Sequence, residues 1–442
     1  MVKAIYLQDK YQELNMTINR RKFMQGMSAA PLLLAGHGPA AAAPMLSENN
    51  YGLTYEKVKR GNGWIEIDAD QYVNNIRAMQ HIVGANTKIC VVIKADCYGH
   101  GTSLLIPSII KEGISSIGFA SNEEARVARA LGFKGKLLRL RTATVEEVED
   151  GLRFEIEEMV GNLADASALS ALAQARGSRL NVHFALNSTG MSRNGLDLGT
   201  QQGQHDTIAI TRLKNLHIVG LMSHFPTEEV DDMNAGAIQF QRDVDWILAN
   251  TGLNRKELTL HLANSYAALN VPASRLDMVR VGGALVGDTD VRFAQFKRIM
   301  TFKSKVAAVN AYPQGRTVSY DRTFELTRDS WLANIPIGYS DGYSRMFSRK
   351  NRPAADTLTV YLLINGYRVP VVGRVTMNTF MADVTDFKDS IKLGDEVVLY
   401  GKQGKEEITT ADLEPISQSI AIEFYSNWGN LMPKILKPGK SI

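Results

Sequence analysis

Cysteine is nearly absent from this chain of 442 residues: only Cys90 and Cys97 occur. If Cys90 opens a strand rising about 3.3 Å per residue, the pair lies beyond disulfide reach unless the chain folds back sharply. Both are therefore read as packing residues, and no disulfide framework is implied. No His, Cys and carboxylate cluster stands at metal-ligand spacing, which argues against a structural or catalytic metal. Outside the leader no apolar run is long enough to cross a bilayer. Excess charge is scarce too. The formal net charge is +4, and the first 42 residues carry Lys3, Lys10, Arg20, Arg21 and Lys22 against Asp9 and Glu13. The remainder is close to neutral, so neither nucleic acid nor an anionic membrane is indicated as a partner.

What is present suits a large soluble globular protein. Hydrophobic residues make up 45% of the chain, enough for two domains with a sizeable core. The leader, residues 1–42, places Arg20-Arg21 before an apolar stretch from Met27 to Ala35 and ends in Ala40-Ala41-Ala42. That arrangement predicts a twin-arginine export signal, cleavage at Ala42/Ala43 and a periplasmic mature protein.

Short apolar runs then alternate with helical stretches. Strands are predicted at 88–95, 116–121, 136–142, 156–162, 180–186, 217–225, 258–265 and 277–284. Helices are predicted at 71–83, 122–131, 163–175 and 233–250. Eight β/α units in series predict a (β/α)8 barrel of the TIM type, assigned to residues 63–295. From 296 to 442 the pattern turns to strands without intervening helices, including 331–339, 357–364, 369–375 and 396–400. Asn365-Gly366 is a hairpin signal between two of them. The fold class is α/β, a barrel followed by a mostly β domain. The segment 63–68 and the helix after it fit either domain.

In such a barrel the active site gathers at the C-terminal strand ends. Lys94 follows the run Val91-Val92-Ile93 and precedes a Gly-rich turn, Tyr98-Gly99-His100-Gly101. A lysine there loses hydration, its ammonium form is disfavoured, and it becomes suited to Schiff-base chemistry. Arg139 and Arg141 end strand three, Arg193 follows strand five, and His224 ends strand six. Ser265 together with Gly282 and Gly283 fits a phosphate-binding position after strands seven and eight. A Schiff-base lysine with a phosphate cradle points to pyridoxal 5′-phosphate.

Seven motifs in order carry a resemblance to the alanine racemase family: residues 92–101, Thr189-Gly190-Met191-Ser192-Arg193, Ser223-His224-Phe225, Val279-Arg280-Val281-Gly282, Val318-Ser319-Tyr320, residues 335–342, and residues 372–377. The resemblance implies that Lys94 holds the cofactor and moves the α-proton on one face of the substrate. It assigns the opposite face to Tyr320 of a partner subunit, so the active site forms in a homodimer. A tyrosine acts as a base near neutrality only where neighbouring cations ease loss of its proton. The resemblance further implies that Arg280 faces the pyridine nitrogen with His224 beside it, that Tyr98 binds phosphate, and that Arg193 and Met377 contact substrate. A guanidinium stays protonated, so Arg280 is a poor proton donor to that nitrogen.

Departures from the alanine racemase pattern collect around the substrate. Ala185 and Asn187 occupy the stretch where that family carries a supporting lysine, so Arg193 has either another anion or none. Asn194 and Asn378 stand where leucine and aspartate are usual, and Asn430 aligns with a bulky tyrosine. Together with Arg139 and Arg141 these are the specificity candidates, and they resemble the exported broad-specificity amino-acid racemases. The expected activity is racemisation of free amino acids including lysine, arginine and alanine. The alternatives are an alanine-specific racemase, a decarboxylase or aldolase on the same fold, and a non-catalytic binding protein.

Overall fold

The computed structural model of the protein describes residues 55–351 and 358–438. The predicted leader and the first residue of the run 357–364 lie outside the described residues.

After β1 (Gly63–Ile67) and the helix Ala69–Val83, eight short strands follow: β2 (Lys88–Val92), β3 (Ser116–Phe119), β4 (Lys136–Arg139), β5 (Ile156–Val160), β6 (Leu180–Ala185), β7 (Leu216–Met222), β8 (Thr259–His261) and β9 (Met278–Val281). They form one parallel sheet in the order β8-β7-β6-β5-β4-β3-β2-β9. The seam between β8 and β9 is bridged by the Asp277 and Arg280 N–H groups, donating to the Leu260 and Ala263 carbonyls at 3.2 and 2.9 Å. The sheet is thus a nearly closed barrel built from the eight predicted strands. Residues such as Val91, Ile117, Leu137, Val160 and Val182 are fully buried, as a sheet covered on both faces requires. Two covering helices, Asn122–Ala130 and Val145–Gly151, begin in reciprocal capping boxes, Ser121 with Glu124 and Thr144 with Glu147.

The second sheet is antiparallel in the main. It contains β10 (Met300–Lys305), β11 (Ala308–Tyr312), β14 (Ser330–Ile335), β15 (Tyr361–Ile364), β16 (Tyr367–Val372), β17 (Phe380–Asp383), β18 (Glu396–Gln403), β19 (Glu406–Ile408) and β20 (Lys434–Leu436); β12 (Thr317–Val318) and β13 (Phe324–Glu325) pair separately. The hairpin signal is realised: Asn365 and Gly366 both have positive φ, 51° and 82°, and join β15 to β16 with Ile364 opposite Tyr367.

Two sequence expectations are corrected. β1 pairs with β10 and with β20, so residues 63–67 belong to the β domain rather than to the barrel assigned from residue 63. Only distant partners settle that membership. The β domain also contains helices, Thr410–Ser417 and Ala421–Leu431, where strands without helices were expected. The second packs Phe424, Tyr425 and Trp428 into an aromatic cluster with Tyr400 and Phe302, and this apolar face stabilises a short helix. Among the described residues no helix is long and apolar enough to cross a membrane.

Candidate active site

The chain leaves β2 through Ile93 and enters an unusual turn. Ala95, Asp96, Cys97 and Tyr98 all have φ near +55°, a left-handed helical turn made without glycine. Such a conformation costs about 1–2 kcal/mol per residue, so the surroundings must enforce it. Three backbone bonds do part of this: Cys97 N–H to the Ile93 carbonyl, Gly99 N–H to Ala95 and Gly101 N–H to Asp96, at 2.7, 2.8 and 2.9 Å. Asp96 accepts from the Thr102 N–H at 2.7 Å, and the His100 Nδ1 lies 3.0 and 2.9 Å from the Cys97 and Tyr98 carbonyls. Gly99 touches the helix Ala421–Leu431 directly, since a Cβ there would sit 1.9 Å from the Tyr425 carbonyl oxygen. Cys90 and Cys97 are both buried and unbridged, in line with a packing role.

This turn presents Lys94 to a cleft of about 480 Å³ at the C-terminal strand ends. Lys94, Tyr98, Arg193, His224, Ser265, Arg280, Gly282 and Gly283 all line it. Crowding by the cleft walls, then the charges of Arg193 and Arg280, lower the pKa of the Lys94 ammonium, against an opposite pull from Glu124. Its Nζ stands 5.7 Å from the Tyr98 ring centre.

Arg280 is buried and donates to the carbonyls of His261, Ser223 and Leu262 at 2.8, 2.8 and 3.2 Å and to His224 Nδ1 at 3.2 Å. Burial and Arg193 push its pKa down to about 10, against Cys90, which leaves it cationic at neutral pH. Burial, followed by Arg280, Arg193 and Lys94, pushes the His224 imidazole down to about 3, so it stays neutral. Because Nδ1 accepts from Arg280, the neutral ring carries its proton on Nε2.

The opposite wall fits a phosphate. Ser265 Oγ accepts from the Gly282 and Ala284 N–H groups at 3.1 and 3.2 Å, at the start of a short helix. The Tyr98 hydroxyl packs so closely on Gly282 that a Cβ there would lie 2.3 Å away. Hydroxyls and backbone N–H groups are what a phosphate requires. Asp288, which the sequence reading missed, also lines this cleft. Burial, with Glu414 and Glu228 nearby, pushes its carboxyl up to about 6 despite Arg298. No local motif announces it.

The specificity candidates divide. Ala185 packs against Met159 and Met222 at the end of β6. Asn187 orders the following loop, accepting from the Ser192 N–H at 2.7 Å and donating to Asp197 at 3.0 Å. Asn194 accepts weakly from Arg193 Nε at 3.4 Å, and among the described residues Arg193 meets no carboxylate. Arg139 does not reach the cleft: it is fully buried and bidentate to Glu158 at 2.7 and 3.1 Å, with Asn122 at 2.7 Å. Arg141 folds back onto Glu147 instead. Asn430 sits on the exposed side of the helix Ala421–Leu431, outside the cleft, and Asn378 donates to Ser340 at 2.9 Å.

Tyr320 and Met377 stand apart from this cleft. Both are exposed, at 69% and 54%, and Tyr320 borders a separate dent with Val318, Ser319 and Thr376. Its loop is held by an Arg374–Asp321 ion pair at 2.9 Å.

The alanine racemase N-terminal domain family matches residues 67–290 and the C-terminal domain family matches residues 299–436. A broad specificity amino-acid racemase of Pseudomonas putida is 50% identical over 405 residues, spanning 92% of this chain and 96% of that protein. A lysine racemase of Proteus mirabilis is 43% identical, spanning 85% and 89%. An alanine racemase structure from Clostridium difficile superposes with a TM-score of 0.74 at 27% identity, covering 85% of this chain and 96% of that one. The alanine racemase of Bartonella henselae, which carries covalently bound pyridoxal phosphate, shares the fold with a TM-score of 0.73 at 23% identity, covering 85% and 100%. The two matched domains, the seven ordered motifs and the cleft around Lys94 lead to one assignment: this chain belongs to the alanine racemase family.

Proposed function

We propose that the protein is a pyridoxal 5′-phosphate-dependent racemase acting on free amino acids with broad specificity, including lysine, arginine and alanine. The observation that carries this is the single cleft that gathers Lys94, Arg193, His224 and Arg280 opposite the Tyr98, Ser265 and Gly282 cradle. When bound, pyridoxal phosphate supplies the electron withdrawal that makes an amino acid's α-proton labile. Lys94 Nζ would hold the cofactor and would carry that proton on one face of the substrate. Its lowered pKa keeps more of the amine neutral and able to accept. Tyr98, Ser265, Gly282 and Gly283 would hold the phosphate, Arg280 would offer its cation to the cofactor ring, and Arg193 would orient the substrate carboxylate.

Racemisation needs a second proton carrier on the other face, and Tyr320 of a partner subunit fits that role. Its exposure and separation from its own Lys94 cleft support a homodimer with shared active sites. The Met377 backbone would reach substrate across the same interface. The relatives named broad specificity and lysine racemase support the wider substrate range, and the twin arginines of the leader support export to the periplasm.

Single enantiomers of alanine, lysine and arginine, incubated in deuterated water and resolved on a chiral column, test the activity. Inversion with α-deuterium incorporation is expected for all three, and its absence from all three sinks the racemase reading. Mixing Lys94→Ala and Tyr320→Phe subunits tests the shared site. Random hybrids restore about a quarter of wild-type activity if the site is shared, and none if each subunit is complete.

A further inference from the structure

Arg280 is buried in the barrel, yet among the described residues no carboxylate pairs with it directly. Its nearest route to a negative charge is a line of buried polar groups leading away from the cleft. Arg280 Nη1 lies 3.1 Å from His261 Nδ1, His261 Nε2 lies 2.9 Å from His183 Nδ1, and His183 Nε2 lies 2.9 Å from Glu157 Oε2. Lys136 closes the line on the other Glu157 oxygen at 2.9 Å. Glu157 and His183 line a separate cavity of about 910 Å³ at the opposite end of the barrel, so the column spans the barrel from one mouth to the other.

The direction of every bond is forced. A guanidinium has donors only, so His261 Nδ1 accepts. The neutral His261 ring then bears its proton on Nε2 and donates to His183 Nδ1. His183 in turn donates from Nε2 to the carboxylate. Burial, with the charges of Arg280 and Lys136, holds the His261 pKa well below the ordinary value, which keeps the ring neutral. At Glu157 burial pulls upward, but His183 and Lys136 outweigh it and the carboxyl stays ionised. The space is shaped for the column as well. Gly220 on β7 lies against His183, and a Cβ there would fall 2.2 Å from its Nδ1. Barrel interiors are ordinarily filled by branched aliphatic residues, and a polar column replaces them here.

We propose that Glu157, His183 and His261 are positioning residues for Arg280: they deliver its countercharge through two imidazoles and hold the guanidinium edge facing the cleft. A carboxylate placed directly on Arg280 would neutralise it at the point where it faces the cofactor. At two imidazoles' distance the carboxylate orients Arg280 and leaves its positive charge toward the cleft. The role rests on the racemase reading, but the hydrogen-bond pattern is readable without turnover.

The test uses the full-length dimer with 15N-labelled histidine. NMR of the wild type at neutral pH is expected to show His183 and His261 both neutral and both protonated on Nε2, with and without cofactor. Finding His261 protonated on Nδ1, or either ring cationic, overturns the proposal whatever the variants do. Glu157→Gln and His183→Leu are then expected to lower kcat about tenfold with KM within twofold and to shift the absorption band of the bound cofactor; His183→Gln, which keeps a donor and an acceptor, recovers part of the loss. A His183→Leu protein with unchanged melting temperature, kcat and absorption band makes the column mere packing. Loss of wild-type racemisation with the predicted tautomers intact removes the racemase reading and leaves the column standing.

Discussion

Lys434, in the strand Lys434–Leu436, forms an ion pair with Asp96 at 2.9 Å, two residues beyond Lys94. The Lys434 side chain is only 14% exposed and also reaches the Gly429 carbonyl, so the β domain grips the turn that presents Lys94 to the cleft. Lys434→Met keeps the aliphatic stem and removes the grip. Unfolding free energy is expected to fall by about 1 kcal/mol, with kcat down about tenfold because Lys94 is misplaced. Denaturant titration and steady-state kinetics measure both, and wild-type kcat in this variant would mean the left-handed turn holds itself.

Backbone meets backbone at Gly429, where a Cβ would lie 1.9 Å from the Gly99 carbonyl oxygen. Gly429→Ala should destabilise by about 1–3 kcal/mol or more and lower activity with it, since no flexible side chain is available to yield. Gly252→Ala has nothing within 4 Å and should stay within about 0.5 kcal/mol. Equal melting temperatures for the two variants would contradict the close contact.

Arg139 and Glu158 are both buried and paired. Arg139→Leu leaves a buried carboxylate that burial already drives toward its neutral form, and the expected loss is about 3–5 kcal/mol. Adding Glu158→Met should recover much of it. The ratio of lysine to alanine turnover is expected to stay unchanged in the double variant; a changed ratio at unchanged stability would return Arg139 to the substrate.

Asp288 makes stability pH-dependent. Its carboxyl goes from an ordinary value of 3.8 to about 6 in the folded protein. Between those values the folded state binds more protons than the unfolded one, so this group's contribution declines as pH rises from about 4 to about 6. Asp288→Asn should therefore be more stable than wild type at pH 7.5, by on the order of 3 kcal/mol, and melt higher, with the difference vanishing below pH 4. Melting curves of the cofactor-free protein at the two pH values decide it, and an equal gap at both would fit packing rather than ionisation.

Much of the site was legible in the chain because its chemistry is local. Lys94, Tyr98 and the glycines after them lie within eight residues, and Ser265 with Gly282 and Gly283 sit at strand ends that periodicity alone locates. Arg139 and Arg280 are both arginines in predicted barrel strands, and only the second carries a motif of the family. The fold turns Arg139 onto Glu158, away from the substrate role expected of it, and Arg280 toward the cleft.

The sequence by itself determined the eight barrel strands, the Asn365-Gly366 hairpin and the lysine, arginine and glycine positions of the cleft, because side-chain period and turn chemistry act over a few residues. The tertiary structure alone decided that β1 joins β10 and β20, that Lys434 holds Asp96, and that Glu157, His183 and His261 line up behind Arg280. Those partners are separated by tens to hundreds of positions, and their meeting depends on how the strands close and pack.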